Sequence, residues 1–290
     1  MEVFDPSKFN TAPVTVKKPQ IAPAVFNPAT AMAQVKEQSE KEMREKLTAL
    51  DPNALEMPEQ LGPIKAWSFS ALKSFEECRY RAYLKSVKKV REESSVAAER
   101  GNQVHDIAEN FVRGTGDFSP ILRKFKSDFE SLKSRVERQT PALPMSMEEN
   151  WGFTTSWAQT GWTAPDTWVR QKLDVFYKDS DTSAVVIDHK TGRKFGNELK
   201  HGEQGLHYAI GAFKKYPELD YVQPEFSYID QGEKLRKNYT RDRALIHLPK
   251  IQKRAIIMTT AVEFIPNPTK RNCKWCYYAQ SGDCEYAETE

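Results

Sequence analysis

Two short apolar runs near the middle of the chain, each carrying an aspartate, constrain it most. Leu173-Asp174-Val175-Phe176-Tyr177 is followed by Val185-Val186-Ile187-Asp188-His189-Lys190-Thr191-Gly192. Between them lies the turn-forming Lys178-Asp179-Ser180-Asp181. The pattern predicts strands over about 168–178 and 184–190. Side chains alternate along a strand, so Asp188 and Lys190 share one side of the second run. In a hairpin Asp174 would join them, bringing two carboxylates and an ammonium together. Such a group suits a divalent metal with a cationic stabiliser of phosphate charge, and so phosphodiester hydrolysis. A structural salt bridge at a strand end is the plainer reading of Asp-x-Lys.

The 290 residues suffice for one large domain or two modest ones. Charged residues make up 29% of the chain, but the formal net charge is only +3, which does not by itself announce a nucleic-acid partner. Local basic stretches exist: Lys234 to Lys237 with Arg241 and Arg243, then Lys250, Lys253 and Arg254, then Lys270, Arg271 and Lys274. Each reads either as a solvated face or as a groove for a phosphate backbone. No apolar run reaches the length of a membrane span and no signal-peptide pattern is present. A cytoplasmic location is expected, in a bacterium or a phage-infected host cell. There the four cysteines are not expected to form a disulfide framework.

Residues 1–60 read as a Pro-rich, largely disordered tail punctuated by Pro6, Pro13, Pro19, Pro23 and Pro28. Within it Met32, Val35, Met43, Leu47 and Leu50 fall near helical spacing, as in an amphipathic helix. Residues 61–290 form the expected folded domain. Ser68 or Ser70 can cap a helix through Leu72, Phe75 and Tyr83. Further helices are expected at about 97–112, 121–137, 203–215 and 249–261, with strands near 224–229 and 244–247. The Trp-rich stretch 151–168 reads as strand and loop whose tryptophans pack. No internal repeat is visible. Helices around a hairpin and later strands give an α/β core with a mixed sheet.

Other residues add chemistry. His105 and Glu109 share a helix face at a spacing of four, as do Gln204 and Tyr208 on the helix after the Asp-x-Lys strand. An imidazole among carboxylates favours Mn²⁺, and carboxylates alone suit Mg²⁺. Cys273-Lys-Trp-Cys276 and Cys284 crowd the C-terminal end, and Cys78 lies far upstream. Four thiolates complete either a zinc or an iron–sulfur site, which would clasp the ends of the domain together.

Taken in order, Ser-Phe-Ser-x2-Leu-x2-Phe-x2-Cys, Gly-x3-His-x3-Glu, Asp174, Asp188-x-Lys190, Gln204-x3-Tyr208 and the cysteine trio resemble the RecB-like branch of the PD-(D/E)xK nucleases. The likeness covers about residues 67–286. It is nearest to the iron–sulfur members: the CRISPR-associated RecB-like exonucleases, the AddB nuclease domain and stand-alone phage relatives. The resemblance implies a restriction-endonuclease-like core with a central mixed sheet flanked by helices, closed by Cys78 and the 273–284 cysteines. It implies that His105, Asp174 and Asp188 bind Mg²⁺ or Mn²⁺, helped by a backbone carbonyl near His189. Lys190 would position or activate water and offset phosphate charge, with Gln204 and Tyr208 as the motif after the lysine. Cys78, Cys273, Cys276 and Cys284 would hold a [4Fe–4S] cluster, with Zn²⁺ as the alternative.

The implied activity is metal-dependent DNA hydrolysis, exonucleolytic, in end processing, recombination or repair. With no P-loop motif in the chain, a helicase or a strand-annealing recombinase is the expected partner. The rival readings are a catalytically inactive nuclease-fold module and a zinc-stabilised nucleic-acid-binding or assembly protein. The sequence departs from the resemblance at Gln171, where the family often has Gly, and at Arg79, where Pro is common. Seven residues separate Cys276 from Cys284, a longer gap than is usual.

Overall fold

The computed structural model describes residues 60–288. The Pro-rich tail and its candidate helix lie outside the described residues. The chain enters the fold where Trp67 bridges Val169 and exchanges backbone hydrogen bonds with Trp168 and Arg170. Ser68 then caps α1 (Phe69–Glu77) by accepting from the Ala71 N–H at 3.3 Å. Cys78 is extended, so the single helix expected through Tyr83 is broken there, and α2 (Arg79–Ser86) follows. Ser95 caps α3 (Val96–Arg113), which ends at Gly114 with φ +74°, a left-handed stop that glycine adopts without steric cost. A 3₁₀ turn over Pro120–Phe125 leads into α4 (Lys126–Arg138).

The sheet is built from β1 (Met145–Phe153), β2 (Gln159–Thr160), β3 (Val169–Lys178) and β4 (Ser183–Lys190). After the crossover helix α5 (Glu198–Lys215) come β5 (Tyr221–Tyr228), β6 (Glu233–Arg236) and β7 (Tyr239–Thr240). Strand order is β2-β1-β3-β4-β5-β6, with β7 also paired to β5. β4 and β5 run parallel and the other pairs are antiparallel, so the sheet is mixed. Pro224, which has no N–H to give a ladder, falls between the segments of β5 that pair with β7 and with β6.

The chain closes with α6 (Arg241–Leu245), α7 (Leu248–Thr260), α8 (Lys270–Lys274) and α9 (Tyr277–Gln280). The strand expected at 244–247 is instead the end of a helix and the turn after it. The Thr240 side chain accepts from the Arg243 N–H and starts α6, and the Arg241 guanidinium binds the carbonyls of Phe213 and Tyr216 that end α5.

Both faces of the sheet are covered. On one, Ala184, Val186, Phe176 and Phe226 pack with Tyr208, Ile210 and Phe213 of α5, Leu72 and Phe75 of α1, and Ile251 and Met258 of α7. On the other, Val175, Val185 and Ile187 pack with Val104, Ala108 and Phe111 of α3 and Phe129 and Leu132 of α4. This is the restriction-endonuclease-like arrangement, and it explains why the β4 sequence is an unbroken apolar run. Each large side chain so buried contributes about 1.5–3 kcal/mol. Trp67, Trp151, Trp157 and Trp168 are all buried, and the Trp67 and Trp168 rings meet edge to face at 5.6 Å. Among the described residues no helix is long and apolar enough to cross a membrane.

Candidate active site

Alternation along β4 sorts its last three residues. Ala184 and Val186 face α5, so Asp188 and Lys190 follow on that side, and His189 turns toward α3 and α4. Tyr208 donates from its hydroxyl to Asp188 Oδ2 at 2.9 Å, and Gln204 donates to the same oxygen at 3.0 Å and to the Tyr208 oxygen at 2.7 Å. The Lys190 ammonium lies 2.6 Å from Asp188 Oδ1. Geometry there is that of an ion pair without an aligned hydrogen bond, which leaves this buried oxygen a free lone pair. The His189 ring is buried 5.2 Å from the Phe129 ring and 6.1 Å from that of His105.

Asp174 lies one step past the Val175–Ile187 pair of β3 and β4, so the antiparallel register sets it opposite Asp188. Its Oδ2 accepts the His189 backbone N–H at 2.6 Å, and its Oδ1 faces His105 Nδ1 at 3.3 Å. A third group enters from β1. Glu148 lies in register with Asp174, yet the Met147–Val175 and Glu149–Leu173 pairs flank a gap in the ladder at this point. Glu148 has φ +50°, a left-handed conformation uncommon outside glycine. The distortion also switches faces. Met145 and Met147 pack on the α3 side and Trp151 and Phe153 on the α5 side, with the same exchange between Leu173 and Val175. Glu148 Oε1 thereby comes within 3.6 Å of His105 Nδ1, and its other oxygen pairs with Lys172 at 2.7 Å.

Ligand atoms of His105, Glu148 and Asp174 all lie within 4.8 Å of one another, a spacing that can hold one ion. The sequence reading supplied His105 and Asp174 but missed Glu148, which no motif marks. Asp188 lies outside this trio: Tyr208 and Gln204 hold its Oδ2, and Lys190 faces its Oδ1. Glu109 also lies outside it and pairs with Arg113 at 2.7 Å.

The electrostatics describe an anionic pocket that favours a cation. Burial opposes a charge on His105, but the hydrogen bond to Asp174 and the fields of Asp174, Asp188 and Glu148 outweigh it and hold the imidazole pKa up at about 9. Burial would likewise raise Asp174, but His105 and the His189 N–H keep it low. Asp188 moves the other way: burial and the repulsion of Asp174 raise it despite Lys190 and Tyr208. Burial depresses His189 to about 4. Two facing carboxylates thus titrate apart, a common mark of reactive sites. A mixed imidazole and carboxylate set fits Mg²⁺ or Mn²⁺.

The four cysteines line one pocket with Glu77, Arg81, Asn267 and Asn272. Asn267 and Asn272 each donate a side-chain N–H to the Glu77 carbonyl, and the Asn267 N–H points at Cys78 Sγ at 3.5 Å. Burial raises the Cys284 thiol, and the neighbouring Cys276, Cys78 and Cys273 add to the shift.

Two of the basic stretches are committed to structure. Lys234 and Arg236 pair with buried Glu225, and Arg254 pairs with Glu76 and Glu203. Gln171 is buried and donates to the His207 carbonyl at 2.6 Å. It fits because Gly211 faces it: a Cβ there would sit 1.9 Å from the Gln171 Oε1.

A mixed sheet covered by helices on both faces, with acidic groups facing each other across neighbouring central strands beside a lysine, defines a restriction-endonuclease-like protein. Over residues 66–281, most of its length, the chain belongs to the PD-(D/E)XK nuclease superfamily, a group of divalent-metal-dependent nucleases. No curated protein matches the chain. The crystal structure of SSO0001 resembles it with a TM-score of 0.42 and 15% identity, over 87% of this chain and 98% of that one.

Proposed function

We propose that this protein is a Mg²⁺- or Mn²⁺-dependent deoxyribonuclease that acts from DNA ends. The observation that carries the reading is the convergence of His105, Glu148 and Asp174 beside the Asp188–Lys190 pair. A divalent cation held there supplies charge neutralisation for phosphoryl oxygens and acidifies water. Asp174 is fixed by the His189 N–H and presents its other oxygen to the pocket. Lys190 carries the positive charge that offsets the negative charge building on the phosphate. Tyr208 and Gln204 hold Asp188, and Asp188 holds Lys190 in place. Action from ends rests on the family resemblance of the motifs.

Four cysteines lining one pocket support a [4Fe–4S] cluster, as the family resemblance of the motifs implies, with zinc as the alternative. The test of the main reading is digestion of 5′- and 3′-labelled oligonucleotides in Mn²⁺. Cleavage that disappears in EDTA and in Lys190→Ala is expected; undiminished cleavage by Lys190→Ala would remove the mechanism.

A further inference from the structure

Beside the site, a hollow of about 380 Å³ lies along α1, α2 and the start of α5. Its wall carries the hydroxyls of Ser70, Ser74 and Ser86 and the cations Lys73, Arg81 and Lys200. Among the described residues Glu77 is the only acidic one on it. Lys73 and Arg81 have carboxylate neighbours at 3.4 and 3.6 Å, but exposed Lys200 has none within 4.0 Å among the described residues. Among the described residues the Ser74 hydroxyl has no hydrogen-bond partner, and its oxygen is shielded from water. Exposed ammonium groups and serine hydroxyls along one groove are what a phosphodiester backbone seeks. Lys200 lies one helical turn before Gln204 on α5, the residue that donates to Asp188.

Lys85, which pairs with Glu92 at 2.5 Å, lines this hollow and also a second one of about 890 Å³, which Trp275, Tyr277 and Glu93 line as well. Trp275 is 76% exposed, with Lys274 over its ring at 5.2 Å. Four of the other five tryptophans are buried in the core. A solvent-facing indole with Lys274 beside it is a surface on which an unpaired base can stack, and a duplex hides its base faces.

We propose that single-stranded DNA reaches the site along this track, its phosphates on the serine–lysine groove and a base stacked on Trp275. The proposal rests on the nuclease reading and names its substrate form. It is tested with the full chain in EDTA, by fluorescence anisotropy of a labelled oligo-dT long enough to span both hollows. Trp275→Ala should weaken binding about tenfold and Trp275→Phe should restore it. Lys200→Ala, remote from the cysteines, should weaken binding and lower the slope of log affinity against log salt by about 0.7. Unchanged affinity in both Trp275→Ala and Lys200→Ala overturns the track. Equal affinity for a duplex or for oligo-rU overturns its assignment to single-stranded DNA. Cleavage in Mn²⁺ of an oligonucleotide too short to reach Trp275 reads the site alone. If wild type cuts it while both variants bind oligo-dT normally, the track fails and the nuclease reading stands. If wild type cuts nothing while binding responds as expected, the nuclease reading fails and the track stands.

Discussion

The backbone N–H of His189 donates to Oδ2 of Asp174 at 2.6 Å, linking β4 to the carboxylate of β3. One oxygen is thereby spent on positioning, and the other faces His105. In Asp174→Asn the amide oxygen can still accept this bond, so the fold should persist. The charge that raises His105 is lost, and its pKa should fall from about 9 toward the ordinary histidine value. Cleavage should drop by at least about 100-fold, as for loss of a preorganised electrostatic group. Histidine NMR titration and a digestion assay check the two halves separately.

Glu148 combines a backbone penalty with a pocket-facing carboxylate, a conjunction expected of functional positions. Glu148→Gly and Glu148→Ala both remove the carboxylate, and both should weaken Mn²⁺ binding in calorimetry. Only Ala keeps a Cβ at φ +50°. The Gly variant should therefore be the more stable by about 1 kcal/mol in urea denaturation. Equal stability of the two would mean the conformation stores no strain.

Stability should depend on pH with two limbs when measured in EDTA. His189 and His207 are buried and depressed by desolvation, to about 4 and about 3. Both are neutral in the fold, whereas the unfolded chain takes up protons below about pH 6.5. Their contribution is thus present above pH 6.5 and is lost as pH falls toward 4, by about 1.4 kcal/mol per pH unit for each. His105 is raised, so its contribution is complete below about pH 6.5 and lost as pH rises through about 9. His105→Ala should flatten the alkaline limb and leave the acid limb, in denaturation curves taken at several pH values.

Cys276 is buried in the four-cysteine pocket. Wild-type protein should be brown, with iron and sulfide in equal amounts, and Cys276→Ser should be colourless and melt at lower temperature. Colourless wild type containing zinc would replace the cluster assignment.

Much of this was legible in the sequence for definite reasons. Period-two alternation is local, so the Asp188–Lys190 pair and the position of Asp174 followed directly from β3 and β4. Helical spacing of four likewise placed Gln204 beside Tyr208. Glu148 was not legible: its role depends on a positive φ and on register with a strand more than twenty residues away. The break at Cys78 is set by tertiary contacts from Asn267 and Asn272, which local periodicity cannot register. Residues 244–247 read as strand because Ala-Leu-Ile looks apolar and β-prone, whereas the Thr240 cap decided for helix.

The central claim is that one cation sits among His105, Glu148 and Asp174. Anomalous scattering from crystals soaked in Mn²⁺ measures this directly. A single strong peak within coordination distance of all three side chains is predicted. A protein that cleaves DNA in Mn²⁺ while its peak lies away from Glu148 would contradict the account.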